Sequence, residues 1–397
     1  MTDIRPHDGP PQISLTALFL KFLRFGALAF GGPVAQIAML RQTLVEEERW
    51  IDSARFNRLL AVMQVLPGPE AHELAVHLGI VARGRVGGML AGLGFMLPGF
   101  LLMMAAAWLY QRFAGALSSA SILLGVQIVV IAIIVRAVHR IGLHVIENVP
   151  LAIFALAGFA LSLLHAPFWV ALLVGGVGHS LSRRTEVAIA IAAGAIVAAG
   201  LLFGWGQAAD PVVLTSQAAP ATMVGLFVAG LKGGLLTFGG AYTAIPYVRT
   251  DTVGRGWLTD GTFLDGVAIG GLLPAPLVIF ATFVGFVVGG FAGAVAITLG
   301  MFLPAFAFSL IFYERLEAVI ENAAVHRLLS GIAAAVVGII AATCVQLGWA
   351  VAARANDLAV AAVIFTVAAI VAYRVKGAIV LPALVAGGAL AGWLLQP

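Results

Sequence analysis

Helix-breaking residues set in apolar surroundings occur twice in this chain, in one register. Phe30-Gly31-Gly32-Pro33 is followed by Leu66-Pro67-Gly68-Pro69 and by Phe95-Met96-Leu97-Pro98. The second set reads Phe238-Gly239-Gly240-Ala241, Leu273-Pro274-Ala275-Pro276 and Met301-Phe302-Leu303-Pro304. The offsets are 208, 207 and 206 residues, and Trp50 and Trp257 fit the series at 207. Proline sits best in the first turn of a helix, where its missing N–H is not needed. Pro33, Pro69, Gly240 and Pro276 therefore read as helix starts, whose free N–H groups and dipoles favour an anion. Glycines and prolines also close-pack or kink membrane helices. Matching breaks in two hydrophobic halves, however, point to the substrate site of a secondary transporter.

Other side chains share that register. Arg24 lies six residues before Phe30, and Lys232 lies six before Phe238. A basic residue inside a membrane helix costs roughly 2.5–3.5 kcal/mol on insertion scales, so each is a candidate for anion binding. Arg24 and Gly31 share a helix face. Snorkelling to the interface is the competing reading, and it is the one expected for Lys21. Glu70 and Glu73, with His72 and His77 nearby, are the acids expected inside the first hairpin. Glu70 follows Pro69 directly, where it either caps the helix or supplies a protonatable group for proton coupling. Gln64 precedes Pro67 and Thr282 follows the second break, so both read as anion-facing donors. No metal site is expected, because His72 and Glu73 find no third ligand at a sensible spacing.

These residues need elements to hold them, and the composition says which. Of 397 residues, 61% are hydrophobic and only 10% charged. A soluble domain carries roughly 25% charged residues, so the chain is an all-α, polytopic membrane protein. Segments 149–164, 167–181, 187–203, 358–373 and 378–394 approach the ~20 apolar residues that cross a bilayer. Alternating strand-length segments, the mark of a membrane barrel, are missing. Residues 1–13 read as a polar tail and not a cleavable signal peptide. Cys344 is the single cysteine, so no internal disulfide and no cysteine metal cluster can form. A net charge of +4 in such a chain reports topology, not nucleic acid. There is no phosphate-binding G-x-x-x-x-G-K-[ST] sequence, so ATP-driven pumping is not expected. No nucleophile–base constellation appears either, and neither an enzyme nor a cofactor is implied.

The chain divides into a first repeat (14–204), a polar connector (205–220) and a second repeat (221–397). From Asp52 to Leu66 there is room for only about 22 Å of helix, too little to span, and 69–83 is as short. With Asp52 and Thr259 as N-caps, each repeat is expected to hold a re-entrant hairpin whose Pro-x-Pro tip lies inside the membrane. Such a tip is tolerated only where protein or water surrounds it. Arg41, Arg49, Arg55, Arg58, Arg83 and Arg85 then flank the first hairpin on the cytoplasmic side, and the spans that follow place Arg136, Arg140, Arg183 and Arg184 there too. In the second repeat Arg315, Arg327, Arg374 and Lys376 oppose Arg249, Arg255 and Arg354, a vote of four to three for inverted over parallel repeats.

At these residues the chain resembles the chromate ion transporter family in its long, two-domain form. In the first half the likeness rests on Phe30-Gly31-Gly32-Pro33, Glu48-Arg49-Trp50, Gln64 to Pro69 and Phe95 to Pro98. In the second it rests on Phe238 to Thr243, Ile245-Pro246, Trp257-Leu258-Thr259, Phe263 to Gly266 and Ala281 to Gly285. The resemblance implies transport of chromate, usually as efflux that confers resistance, with sulfate as the related oxyanion, in a multi-pass bacterial inner-membrane protein. It also implies two homologous domains of opposite topology. An anion channel, or a carrier of another oxyanion, is the alternative. Membrane lipid is a necessary partner, while a coupling proton and a homodimer are left open. One departure stands out: similar proteins tend to carry Gln-x-x-Pro-Gly-Pro in the second half, where this chain has Gly271-Leu272-Leu273-Pro274-Ala275-Pro276.

Overall fold

A computed structural model describes residues 13–30, 32–63, 67–113, 120–182, 184–204, 220–237, 241–311, 323–355, 357–375 and 380–395. Nearly all of them are helical, and no strand occurs among them. The connector lies outside the described residues except for Pro220, and so does the tail before residue 13.

Local signals start and stop the helices. Helix α1 (Leu15–Ala27) is capped by Ser14, whose Oγ accepts the Ala17 N–H at 3.1 Å, and it ends just before the Gly-Gly pair. Gly32 at φ 79° then opens α2 (Gly32–Arg41), with Pro33 in its first turn; a left-handed φ favours glycine there. Helix α3 (Ser53–Met63) begins where Asp52 Oδ1 accepts the Arg55 N–H at 2.7 Å, the N-cap that its residue type predicts. Helix α4 (Glu70–Phe113) starts directly after Pro69. It is not one rod. Arg83 (φ −143°, ψ 33°) and Gly84 (φ 63°, ψ −165°) turn the chain back on itself. The arms 70–82 and 85–113 run antiparallel, so close that a Cβ on Gly79 would lie 2.6 Å from the Gly87 carbonyl oxygen.

After α5 (Ala120–Val145), α6 (Val149–Leu163), α7 (Phe168–Leu181) and α8 (Thr185–Ala199), the second half repeats the plan. It runs through α9 (Met223–Leu235), α10 (Ala244–Thr252), α11 (Asp260–Leu272) and α12 (Phe280–Ile311). Thr259 caps α11, accepting the Thr262 N–H at 3.2 Å. Helix α12 folds back at Gly289 (φ −134°, ψ 18°) and Gly290 (φ 61°, ψ −152°), nearly the dihedrals of Arg83 and Gly84. Gly285 packs on Gly293 as Gly79 packs on Gly87. The chain closes with α13 (Ala323–Ala352), α14 (Leu358–Arg374) and α15 (Val380–Leu395).

The halves interlock, which the sequence did not suggest. Helix α5 of the first half packs on α14 and α15, while α13 of the second half packs on α6 and α7. Each crossing is set by glycines that bring backbones together: Gly125 against Gly388 and Gly392, Gly175 against Gly331, and Gly338 against Ala155. At the centre, α4 packs on α12. Leu102, Trp169, Leu202, Val224, Phe291 and Trp349 are large apolar side chains left exposed, and 121–145, 185–202 and 325–352 are long and apolar enough to cross a bilayer. Lipid is the solvent that this surface requires.

A Cβ on Gly338 would overlap the Ala155 carbonyl oxygen, a backbone atom that cannot step aside. Gly338→Leu is therefore expected to cost more than the 1–3 kcal/mol typical of overpacking. The amount of monodisperse protein extracted into detergent should drop about tenfold, against no change for Gly387→Ala, where a Cβ meets nothing within 4 Å.

Candidate functional site

The two breaks of each half meet those of the other half. The Gly68 N–H, at the tip between α3 and α4, donates to the Thr237 carbonyl at 2.8 Å, at the end of α9. Thr237 occupies the place in the second half that Ala29 holds in the first. The reciprocal contact runs through a side chain: Gln36 Nε2 donates to the Ala29 carbonyl and to the Ala275 carbonyl, both at 2.9 Å. Pro67, Pro69, Pro274 and Pro276 are all buried here, and Pro33 is half-buried. Gln36 is 1% exposed, and its Oε1 has no hydrogen-bond partner among the described residues.

This geometry accounts for Pro-Ala-Pro. Gly68 sits at φ 148°, whereas Ala275 does not take a positive φ. The Ala275 methyl faces Gly99, so that a Cβ on Gly99 would overlap it. At the mirror contact, a Cβ on Gly68 would lie 3.3 Å from the Ala305 methyl. Residues 99 and 305 are themselves equivalent, 206 apart like Pro98 and Pro304. Each tip contact thus joins one glycine to one alanine, in opposite order. The substitution is a compensated exchange within the duplicate.

The first arm of α4 carries the buried ionisable groups. Glu70 is 9% exposed, His77 3%, and His72 and Glu73 are fully buried. His72 Nε2 lies 3.2 Å from the Gly92 carbonyl, and its ring stands edge-on to Phe302 and Phe306 of α12 at 4.9 and 4.8 Å. Glu73 lies against Gly68, and neither of its oxygens has a hydrogen-bond partner among the described residues. The matching arm of α12, with the 3-10 turn before it (277–288), contains no acid and no histidine. The polar machinery is one-sided.

The expected basic residues fare differently from one another. Lys232 donates to Asp251 at 3.1 Å, a carboxylate that also accepts from Arg255 at 3.0 Å, and it lies over the Phe168 ring. Arg24 is exposed on α1 and makes no ion pair among the described residues. Lys21 does not snorkel alone. It pairs with Glu48, whose other oxygen accepts the Trp50 Nε1–H at 2.9 Å. Thr282 is buried, and its hydroxyl lies 2.7 Å from that of Thr298 across the α12 hairpin. Gly31, Gln64, Gly239 and Gly240 lie outside the described residues.

Two features escaped the sequence reading. Gln36 carried a findable signal, being an amide where the duplicate has Ala244. Asp265 accepts from Tyr110 Oη and Gln127 Nε2, both at 2.8 Å, and Arg354 donates to Gln127 at 2.7 Å, tying α4, α5 and α11 to the C-terminal end of α13. Arg136 and Arg140, read as topology markers, lie near the end of α5, the first half-buried and the second exposed.

A family model described as "Chromate transporter" matches residues 16–179 and again 224–393. A chromate transport protein of Pseudomonas aeruginosa is 54% identical over 402 residues, covering 100% of this chain and 96% of that one. A chromate transport protein of Cupriavidus metallidurans is 30% identical over 403 residues, 98% of this chain and 94% of that one. A probable chromate transport protein of Synechococcus elongatus is 29% identical over 355 residues, 85% of this chain and 86% of that one. No solved structure matches the chain.

Proposed function

The chain belongs to the chromate transporter family, and from that premise we propose that it is a secondary active transporter of a tetrahedral divalent oxyanion, chromate, working as an efflux carrier with sulfate as a competitor. It is a multi-pass membrane transporter and not an enzyme. The observation that carries the proposal is the reciprocal meeting of breaks, Gly68 on Thr237 and Gln36 between Ala29 and Ala275. Matching helix interruptions whose flanking residues meet across the repeats fit a substrate site at the repeat interface. Irregular backbone at membrane depth is tolerated where protein buries it or where it lines a water-filled cavity.

In this reading the halves act as inverted repeats with re-entrant hairpins, and access alternates as one rocks against the other. The returning arm of each hairpin is fixed to the span that follows it, at Gly79–Gly87 and Gly285–Gly293. The driving ion is a proton, taken up by the acidic first arm of α4.

Everted membrane vesicles test this directly. Radiolabelled chromate should accumulate with saturation, sulfate should compete, and a protonophore should abolish accumulation above equilibrium. Absence of any saturable flux would overturn carrier transport of chromate. Flux that rises linearly with chromate and ignores the protonophore would make the protein a channel.

A further inference from the structure

The two tips meet the opposite half with opposite polarity. At the first, the Gly68 N–H donates to the Thr237 carbonyl at 2.8 Å. At the second, the Ala275 N–H is spent on the Leu273 carbonyl at 2.9 Å, and Ala275 offers its own carbonyl instead. That carbonyl and the one of Ala29 both face Gln36 Nε2, at 2.9 Å each. A carbonyl oxygen cannot donate, so the amide has one permissible orientation, with Nε2 toward the two carbonyls and Oε1 away from them. Oε1 is left as a buried acceptor on a side chain that is 1% exposed, with no hydrogen-bond partner among the described residues. Leaving such an atom unpaired costs about 1–3 kcal/mol.

The duplicate avoids that cost. Its equivalent of Gln36 is Ala244, fully buried, where the direct Gly68–Thr237 bond needs no bridging amide. Gln36 stands one turn inside α2, whose start at Gly32 and Pro33 is one of the four breaks. A helix start offers N–H groups and the positive end of a dipole to the charge of an anion. Gln36 Oε1 offers the opposite. It repels a bare anionic oxygen and takes a hydrogen bond only from a group that carries hydrogen. Tetrahedral oxyanions differ in this respect. Hydrogen chromate gives up its proton near neutral pH, whereas sulfate has lost its last proton far below it.

We propose that Gln36 is a specificity-determining residue that reads the proton of the substrate. Its Oε1 accepts a hydrogen bond from the hydroxyl of hydrogen chromate, and it leaves fully deprotonated sulfate a weak competitor. The inference rests on the oxyanion-transport reading and deepens it by naming the form in which chromate is bound. A site built around a substrate hydroxyl rejects an analogue that lacks it, since its own buried polar group is then left unpaired. Protein groups around Gln36 titrate as well. Helix α2 packs on α4, whose first arm carries Glu70, His72, Glu73 and His77. It also packs on the 42–47 turn with Glu46 and Glu47, and its own Arg41 pairs with Glu46 at 3.4 Å. Lys21 and Arg24 lie on α1 before Ala29, and 273–288 contains no titratable group. Sulfate, which does not titrate near neutral pH, reports what these groups contribute.

Calorimetric titration of the purified full chain in detergent, with potassium chromate and with potassium sulfate at pH 7 and pH 8, tests it. In wild type the Kd for chromate should rise about tenfold across that interval, as the competent fraction falls. The Kd for sulfate should not follow. Gln36→Leu, close in volume, and Gln36→Ala, the residue of the duplicate, remove the acceptor. Each should lower the ratio of the sulfate Kd to the chromate Kd at pH 7 by about tenfold or more, and make that ratio independent of pH. The wild-type ratio decides the matter even if neither variant folds. A wild-type ratio that does not change with pH, or a variant that keeps the wild-type ratio, would overturn the reading of the substrate proton. Saturable chromate flux in vesicles would then leave transport standing. Wild-type protein that binds neither anion and carries no flux would overturn both.

Discussion

Gly99→Ala is expected to abolish chromate flux, and Ala275→Gly is expected to restore it in the same molecule. The added methyl would overlap the Ala275 methyl at the second tip. That tip is held by Pro274 and Pro276 on either side and by Gln36 from the first half, so it cannot withdraw freely. Overpacking a well-fitted site costs typically 1–3 kcal/mol, here taken at a contact between halves that must shift during transport. Removing the Ala275 methyl vacates the space that the new one needs, so the pair should show a coupling energy near the full cost of the single change. Vesicle flux and thermal unfolding of the four combinations measure it. The mirror test should behave differently. Gly68→Ala should not be rescued by Ala305→Gly, because Gly68 also needs φ 148° and lies against Glu73. If Gly99→Ala transports at the wild-type rate, the tips do not press on the opposite half as described.

Much of this arrangement was written in one dimension. The breaks at Gly32 and Pro69, the caps at Asp52 and Thr259 and the turn-back at Gly84 follow from residue types whose backbone preferences are strong. What the sequence hid was partnership. Lys232 and Arg24 occupy equivalent places, yet only Lys232 meets an acid, because Asp251 lies one layer away on α10. Thr282 looked like a free donor until α12 folded back and put Thr298 opposite it. Arg136 and Arg140 sit at the end of an apolar helix, where charge counting assigns them to a membrane face. The structure leaves Arg136 half-buried and Arg140 exposed there, while α5 itself packs on helices of the other half. The Gly-to-Ala change at 275 stands out in the sequence, and only the fold shows Gly99 supplying the space for its methyl. Local preferences are legible in a chain of this kind. Partnerships are not, since each depends on how helices pack, whether the partner lies 16 residues away, as Thr298 does from Thr282, or in the other repeat, as Ala275 does from Gly99.

Glu73→Leu should make the protein more stable and end proton-driven transport. Glu73 is fully buried, and both oxygens lack hydrogen-bond partners among the described residues. A buried polar group left unsatisfied costs about 1–3 kcal/mol, so an apolar replacement of similar size should recover about that much. The fold has already made this trial: in the second repeat the corresponding arm begins Leu277-Val278-Ile279-Phe280, and it packs at the centre without any acid. A carboxyl kept in the first repeat at a cost in stability, when its duplicate has none, is what a coupling role would require. At the tip, against Gly68, it sits where a proton gained or lost would change how the hairpin meets Thr237. Glu73→Leu protein should therefore melt several degrees above wild type in detergent, while everted vesicles lose at least tenfold of the flux driven by a pH gradient. Chromate equilibration without a gradient should persist, since the change removes a coupling group and no positive charge. A variant that melts lower, or one that still accumulates chromate against its gradient, would remove Glu73 from the coupling mechanism and leave Glu70 as the remaining acid to carry it.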